Sequence, residues 1–236
     1  MAEAKIEFDR ERANQYDSDI RQAIPGYEAL HAMTHSLLQN SLNKSARLLV
    51  VGSGTGMELV SYSQQNSGWS LTGVDPALEM MEIARSELKS RSLQDRVTLH
   101  DGYVDSLPKT EPMDAATLLL VMHFLDDNGS KLKLLEDIAQ RLKPGAKLIL
   151  ADLHGDRSDR YFKQFTQAWQ SLYFSRLDDD LKAQAQGNFE ASIENSIYFV
   201  PEARIIELLQ LAGFTKVSKF YHAFLFGGWI AEYGDR

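Results

Sequence analysis

The feature that most constrains this chain is a short apolar run that breaks off in glycines, Arg47-Leu48-Leu49-Val50-Val51 and then Gly52-Ser53-Gly54-Thr55-Gly56. An unbroken apolar run of this length reads as a strand buried on both faces. Residues 59–65 continue as a helix. The same alternation then repeats. Residues 69–74 form a second strand ending at Asp75, and Pro76-Ala77 opens a helix to about Ser90 with Met80, Met81 and Ala84 on one face. Residues 97–99 and 115–121 are strands, 130–142 a helix expected to stop at Lys143-Pro144-Gly145, and 147–151 a fifth strand. Strand–helix alternation with continuously apolar strands implies an α/β fold with a mostly parallel sheet, covered on both faces.

At 236 residues, and with about 150 residues per domain as a guide, the chain fits one large domain with added segments. Residues 1–45 precede the first strand and read as two helices broken at Pro25-Gly26. Residues 153–200 read as an aromatic-rich helical insertion carrying Tyr161, Phe162, Phe165, Trp169, Tyr173 and Phe174. A helix over 201–212 and a hairpin over 216–233 close the chain. The net charge of −8 gives no pull toward polyanions, so no direct nucleic-acid partner is expected. With no cysteine, thiolate metal sites, disulfides and cysteine nucleophiles are excluded. The first nineteen residues hold no apolar leader, and the longest apolar stretch, 115–125, is broken by Thr117 and His123. A cytoplasmic protein with no membrane partner is the expectation.

Glycines let a chain turn sharply and let a ligand approach backbone, and a helix start offers unpaired N–H groups. The loop reads G-x-G-x-G, with Met57 where a dinucleotide fingerprint has its last glycine. That argues against a nicotinamide cofactor. Asp75 ends the second strand 19 residues past Gly56 (75 − 56), near the roughly 20-residue spacing at which an acid reaches a ribose. Capping the next helix is its other reading.

VVGSGTG, TGVDPALEMMEIAR, VTLHDGYVDSLP and LKPGAKLILAD, in this order, resemble successive motifs of the class I S-adenosylmethionine-dependent methyltransferases. The resemblance implies a Rossmann-like, doubly wound seven-stranded sheet with an antiparallel last strand, here with a helical cap from 1–45 and 153–200. It implies S-adenosylmethionine as cofactor. Gly52, Ser53, Gly54 and Gly56 would hold its methionine moiety, Asp75 its ribose, and Pro76 and Met80 would flank the adenine. The family's Gly-Asp after the third strand is here Gly102-Tyr103, which passes adenine recognition to Asp101, Gly102, or backbone at Tyr103 and Val104. Leu120 joins the expected cofactor contacts. A narrower resemblance, through DIRQAIPGY and FYHAFLFGG, is to the carboxy-S-adenosylmethionine synthases of tRNA wobble-uridine modification. Where those have an arginine for the extra carboxylate, this chain has Tyr198, and a phenol lacks the guanidinium fork.

Methyl transfer chiefly needs alignment, and a base only where the nucleophile carries a proton of high pKa. His154 and His123 are the candidate bases by position after the fifth and fourth strands; each has a structural reading too. Tyr16 and Tyr27 are expected to fold over the methyl group. His31 and His35, four apart on one helix, lack a third ligand motif, so no metal is expected. Together these features predict a methyltransferase acting on a small-molecule acceptor, with a homodimer as the expected assembly. A synthase of the carboxylated cofactor and a non-catalytic cofactor-binding protein stay open as alternatives. Tyr27, His154 and Trp169 are expected to meet near the methyl group.

Overall fold

A computed structural model describes residues 10–234; the first nine residues of the expected 1–45 segment lie outside it. Two helices, α1 (Arg10–Ala23) and α2 (Tyr27–Ser41), come first, turning at Pro25-Gly26, where Gly26 takes φ +71°. Then β1 (Ala46–Val51), α3 (Met57–Gln65), β2 (Trp69–Asp75), α4 (Leu78–Ser90), β3 (Val97–Asp101), β4 (Met113–Leu119), α5 (Ser130–Ala139) and β5 (Leu142–Leu153) alternate as expected. The inserted segment folds as α6 (Phe162–Phe174) and α7 (Asp179–Asn195), and α8 (Glu202–Leu211), β6 (Phe214–Ala223) and β7 (Phe226–Tyr233) complete the chain.

The sheet has seven strands in the order β3-β2-β1-β4-β5-β7-β6. Strands β1 to β5 pair in parallel, and β7 runs antiparallel to both β5 and β6. The expected architecture, antiparallel last strand included, is therefore the observed one. Its cause is visible in β1. Leu48 and Val50 face the layer holding α2 and α3, while Leu49 and Val51 face the layer of α5 and α8. All four are at most 4 % exposed, which is why the run shows no polar alternation. The strand order reverses between β1 and β4, so a crevice opens at their carboxyl ends, the place where open α/β sheets bind ligands.

One boundary differs. Helix α5 stops at Ala139, and β5 begins at Leu142 and runs through Pro144-Gly145. Met113 pairs with Leu142 and Ala115 with Lys147, so two steps along β4 match five along β5. Residues 143–146 form a bulge, with Gly145 at φ +80°. Proline has no N–H to give a ladder and is tolerated at such a bulge. The Pro-Gly pair marks a strand irregularity here, not the helix stop.

The segments outside the alternation meet at the carboxyl edge. The Trp169 indole of α6 donates to Ala23 O at 2.6 Å, and Arg176 donates to Gln22 O at 2.9 Å. The Tyr221 hydroxyl of β6 donates to Pro25 O. Three donors from distant parts of the chain thus satisfy carbonyls at the α1–α2 corner, including helix-end carbonyls that have no intrahelical partner. Among the described residues no helix is long and apolar enough to cross a membrane.

Candidate cofactor site

The glycine loop is pinned where it leaves β1. Gly52 N and Ser53 N both donate to Val74 O, at 2.8 and 3.1 Å, so the loop leaves β1 bound to the end of β2. Gly52, Gly54 and Gly56 all have positive φ, at +70°, +51° and +88°, a region costly for other residues. A side chain at Gly52 would strike Val121 Cγ2 at 2.1 Å, and one at Gly56 would touch Ala84 Cβ at 3.0 Å. At Gly54 a Cβ would meet nothing within 4 Å. The outer glycines are therefore explained by packing inside the protein, and Gly54 by the open space it faces.

Asp75 ends β2 beside that space. Its Oδ2 accepts the Gly54 N–H and its Oδ1 the Ala77 N–H, both at 2.9 Å. Burial raises its pKa, and the two backbone donors draw it back partway. A carboxylate has about four acceptor positions, so this one retains capacity for hydroxyls. It also shapes the start of α4. The ribose reading and the helix-start reading are geometrically compatible.

A cavity lies under the loop. Its walls include Gly52 to Thr55, Leu119 and Leu120 at the end of β4, Tyr16 and Asp17 of α1, Tyr27 and His31 of α2, and Met57 and Glu58 of α3. The Thr55 hydroxyl donates to Asp17 Oδ1 at 2.6 Å and so ties α1 to the loop. Leu120 has φ +62°, and its N–H donates to Ala151 O at 2.7 Å. A left-handed leucine costs about 1–2 kcal/mol, and the surrounding hydrogen bond and packing hold it at the mouth of the crevice.

Of the residues expected at the cofactor, Tyr16, Tyr27, Gly52, Ser53, Gly54 and Leu120 line this cavity. Asp75 touches it through Gly54. At the other end, Asp101 stands opposite Asp75 in the β2–β3 register and is ion-paired with Arg85. Gly102 N donates to Asp75 O at 3.0 Å. Tyr103 is exposed, whereas Val104 and Met80 are buried. Pro76 lies between Asp75 and the Ala77 N–H that it accepts.

The candidate bases sit elsewhere. His123, buried in a short turn after β4, pairs through Nδ1 with the Asp152 carboxylate. That same oxygen accepts the Leu153 N–H at 2.7 Å, and the buried Lys131 ammonium donates to Met122 O nearby. His154 leans toward the β6–β7 hairpin instead. Its backbone N–H donates to Leu225 O at 2.8 Å, and its ring lies 5.3 Å from Trp229 and 5.9 Å from His222. Burial, with Lys219 beside it, pulls its pKa down to about 4. Neither imidazole lines the cavity. Tyr27, His154 and Trp169 do not all meet at the cavity: Tyr27 lines it, His154 faces the hairpin, and Trp169, in the same buried cluster as Tyr27, packs on Phe189 and Phe226.

Among the cavity residues that the sequence did not point to, two are titratable and half-buried or more. Glu58, in the first turn of α3, is buried and accepts from the Tyr62 hydroxyl at 3.2 Å; burial pushes its carboxyl up to about 7, with the Thr117 and Tyr62 hydroxyls lowering it partway. His31 packs on Tyr27 with ring centroids 4.4 Å apart, and both its ring nitrogens are buried without a partner. Burial, then Arg21, draws it down to about 4. Four-residue spacing from Tyr27 was the available signal for His31. His35, its expected pair, turns away to Asn66 Nδ2 at 2.7 Å and stacks on Tyr62. Among the described residues there is no cluster of ligands fit for a metal.

Comparison with known proteins agrees with this geometry. A family model described as a methyltransferase domain matches residues 21–219. A carboxy-S-adenosyl-L-methionine synthase of Hydrogenovibrio crunogenus is 22 % identical over 98 % of this chain and 90 % of its own. The synthase of Shewanella halifaxensis is 25 % identical over 96 % and 92 %. A protein of Methanococcus maripaludis, described as an S-adenosyl-L-methionine-dependent methyltransferase, has the same fold. It superposes with a TM-score of 0.65 at 18 % identity, covering 100 % of this chain and 98 % of that one. A glycine loop on β1, an acid closing β2 and a family match spanning sheet and cap converge on one conclusion: this chain belongs to the methyltransferase domain family and is an S-adenosylmethionine-dependent methyltransferase.

Proposed function

We propose that the enzyme methylates a small-molecule acceptor inside the space between the glycine loop and the α1–α2 pair. The observation that carries this is the Asp17–Thr55 bond. It lays α1 directly on the loop, and the α6 and β6 donors hold the corner in place. An enclosed site of this kind excludes water and favours a compact acceptor. The charge balance supports the same reading, since −8 offers a nucleic-acid polymer no electrostatic footing.

The open space at Gly54, the spare acceptor capacity of Asp75 and the unpartnered nitrogens of His31 all fit S-adenosylmethionine. Gly52 to Gly54 would receive the methionine part, Asp75 the ribose, and Asp101 to Val104 the adenine edge. When bound, the cofactor supplies an electrophilic methyl group on a sulfonium sulfur. The protein then orients the acceptor against Tyr16, Tyr27 and Leu120 and keeps water away. With His123 committed to Asp152 and His154 turned to the hairpin, positioning carries the catalysis. The test is conversion of S-adenosylmethionine to S-adenosylhomocysteine with panels of phenols, amines, carboxylates and thiols, beside bulk tRNA and protein. Turnover only with a polymer would defeat the small-molecule reading.

The full-length synthase relatives favour a second reading, in which the enzyme makes or uses a carboxylated cofactor. At position 198 this chain places a tyrosine, whose backbone N–H donates to His123 O at 2.9 Å. A tyrosine cannot bind a carboxylate in the bidentate way an arginine does. Mass spectrometry of the ligand that co-purifies decides between the two.

A further inference from the structure

Two polar side chains face the cavity without a defined partner on the cofactor in the scheme above. Glu58 comes from the first turn of α3, two residues past the last loop glycine. His31 comes from α2, one turn along from Tyr27. Their situations are complementary. Glu58 is 6 % exposed; the Tyr62 hydroxyl donates to its Oε1, and the Thr117 hydroxyl also lies against the carboxyl. His31 is an imidazole with both nitrogens buried and unsatisfied. A buried polar atom without a partner costs about 1–3 kcal/mol, so an arrangement that leaves both His31 nitrogens unpaired in the free protein, beside a buried carboxyl, points to a ligand that pairs them. A neutral imidazole offers one N–H donor and one lone pair, and a carboxylate offers only acceptors. An α-amino acid head group answers both: its ammonium donates and its carboxylate accepts.

We propose that Glu58 and His31 form the subsite for the amino-acid head group of the cofactor, Glu58 taking the ammonium and His31 the carboxylate. This rests on the reading that the cofactor lies in the cavity under the glycine loop. It adds a consequence that the loop alone does not have. The charged and titratable groups around Glu58 are Tyr62 on its own helix, Tyr27 and His31 on α2, and Tyr16, Asp17 and Arg21 on α1. Arg21 is occupied by an ion pair with Glu28. In the free protein burial holds the Glu58 carboxyl at about 7, so near pH 6 it carries a proton. An ammonium placed against it favours the carboxylate, and the proton leaves as the head group arrives. Cofactor affinity therefore rises with pH through about 7, up to the point where the head group's own ammonium begins to ionise.

The experiment is titration calorimetry of the full chain with S-adenosylhomocysteine, which bears the same head group and is not consumed. It is run at pH 6 in two buffers of different ionisation enthalpy, with the analogue lacking the α-amino group alongside. The parent should release most of one proton per ligand and should bind the deaminated analogue at least tenfold more weakly. Glu58→Gln should release none, and it should bind S-adenosylhomocysteine about 10- to 100-fold more weakly at pH 7.5, the equivalent of one charge-assisted bond. It should also lose the preference over the deaminated analogue. His31→Phe should weaken binding while leaving proton release in place. If Glu58→Gln binds like the parent, or weakens both ligands equally, the subsite is overturned. If Asp75→Ala also binds S-adenosylhomocysteine like the parent, the fault lies with the cofactor's placement, and the two failures are told apart.

Discussion

At the scale of single residues, the loop glycines are not interchangeable. A methyl at Gly52 must displace Val121, and one at Gly56 must press on Ala84, whereas Gly54 has room. Gly52→Ala should therefore lower the melting temperature clearly more than Gly54→Ala, which pays only the left-handed backbone cost of about 1–2 kcal/mol. Gly54→Val should leave a folded protein that no longer binds S-adenosylhomocysteine, because its side chain fills the space the ligand needs. A thermal melt and a calorimetric titration of the three variants check this, and a Gly54 variant that binds normally would make the loop an ordinary turn. Asp75→Ala removes an acceptor for two ribose hydroxyls. Each charge-assisted bond is worth about 1.5–3 kcal/mol, so affinity should fall by at least tenfold. A change of less than threefold would leave Asp75 only its bonds to Gly54 and Ala77.

At the scale of elements, the core alternation was legible because each strand is apolar on both faces and each helix is bounded by local glycine, proline or acid. The sheet's seven strands and its antiparallel last strand came through the motif resemblance and stand in the structure. The β5 bulge was not legible, since a Pro-Gly pair reads the same locally whether it ends a helix or interrupts a ladder, and only pairing with β4 decides. The site divides similarly. The loop and Asp75 are set by chain-local spacing, whereas His31 and Glu58 come together because α2 and α3 converge on one cavity. His154 goes astray for the reverse reason: it does follow β5, but the adjacent β6–β7 hairpin takes its backbone N–H and its ring. The contact most diagnostic of the cap is the Thr55–Asp17 bond between loop and α1. Thr55→Val keeps the shape and removes the donor. Losing about 1 kcal/mol of one hydrogen bond should weaken cofactor binding about fivefold and speed amide exchange in α1, with little change in melting temperature. Unaltered exchange in α1 would show that the helix is held by its α6 and β6 contacts alone.

At the scale of the whole molecule, the buried groups around the cavity and the hairpin give the free protein a definite pH dependence. His31 and His154 are both drawn down to about 4 in the folded state, from about 6.5 in an unfolded chain. The unfolded state binds their protons first, so their contribution is intact above pH 6.5 and is lost as pH falls toward 4. Glu58 works in the opposite sense. Its folded carboxyl titrates near 7 against 4.5 for the free group, so its neutral form favours folding at low pH, and that contribution is lost as pH rises from 4.5 to 7. Between pH 4.5 and 6.5 these histidines, with His35 also lowered by burial, oppose Glu58 and the burial-raised Asp75, and the histidines prevail. Above 6.5 the histidine slopes end and the Glu58 slope continues. Below 4.5 carboxylates held low by ion pairs, such as Glu232 at about 2 between Lys147 and Lys216, add their own loss, though exposure and salt weaken it. The melting temperature of the cofactor-free protein should therefore rise from pH 4.5 to about 6.5, then level or fall slightly toward 7.5. Glu58→Gln should make the rise steeper and remove the decline above 6.5, because the opposing Glu58 titration is then absent. Saturating S-adenosylhomocysteine should also remove the decline in the parent: the ligand stabilises the ionised Glu58 and adds about 2.7 kcal/mol at a hundredfold excess over Kd. Calorimetric melts of parent and variant across this range, with and without ligand, decide the matter. A parent curve that climbs steadily through pH 7.5, unchanged in shape by Glu58→Gln, would mean that the Glu58 carboxyl is already ionised in the folded protein.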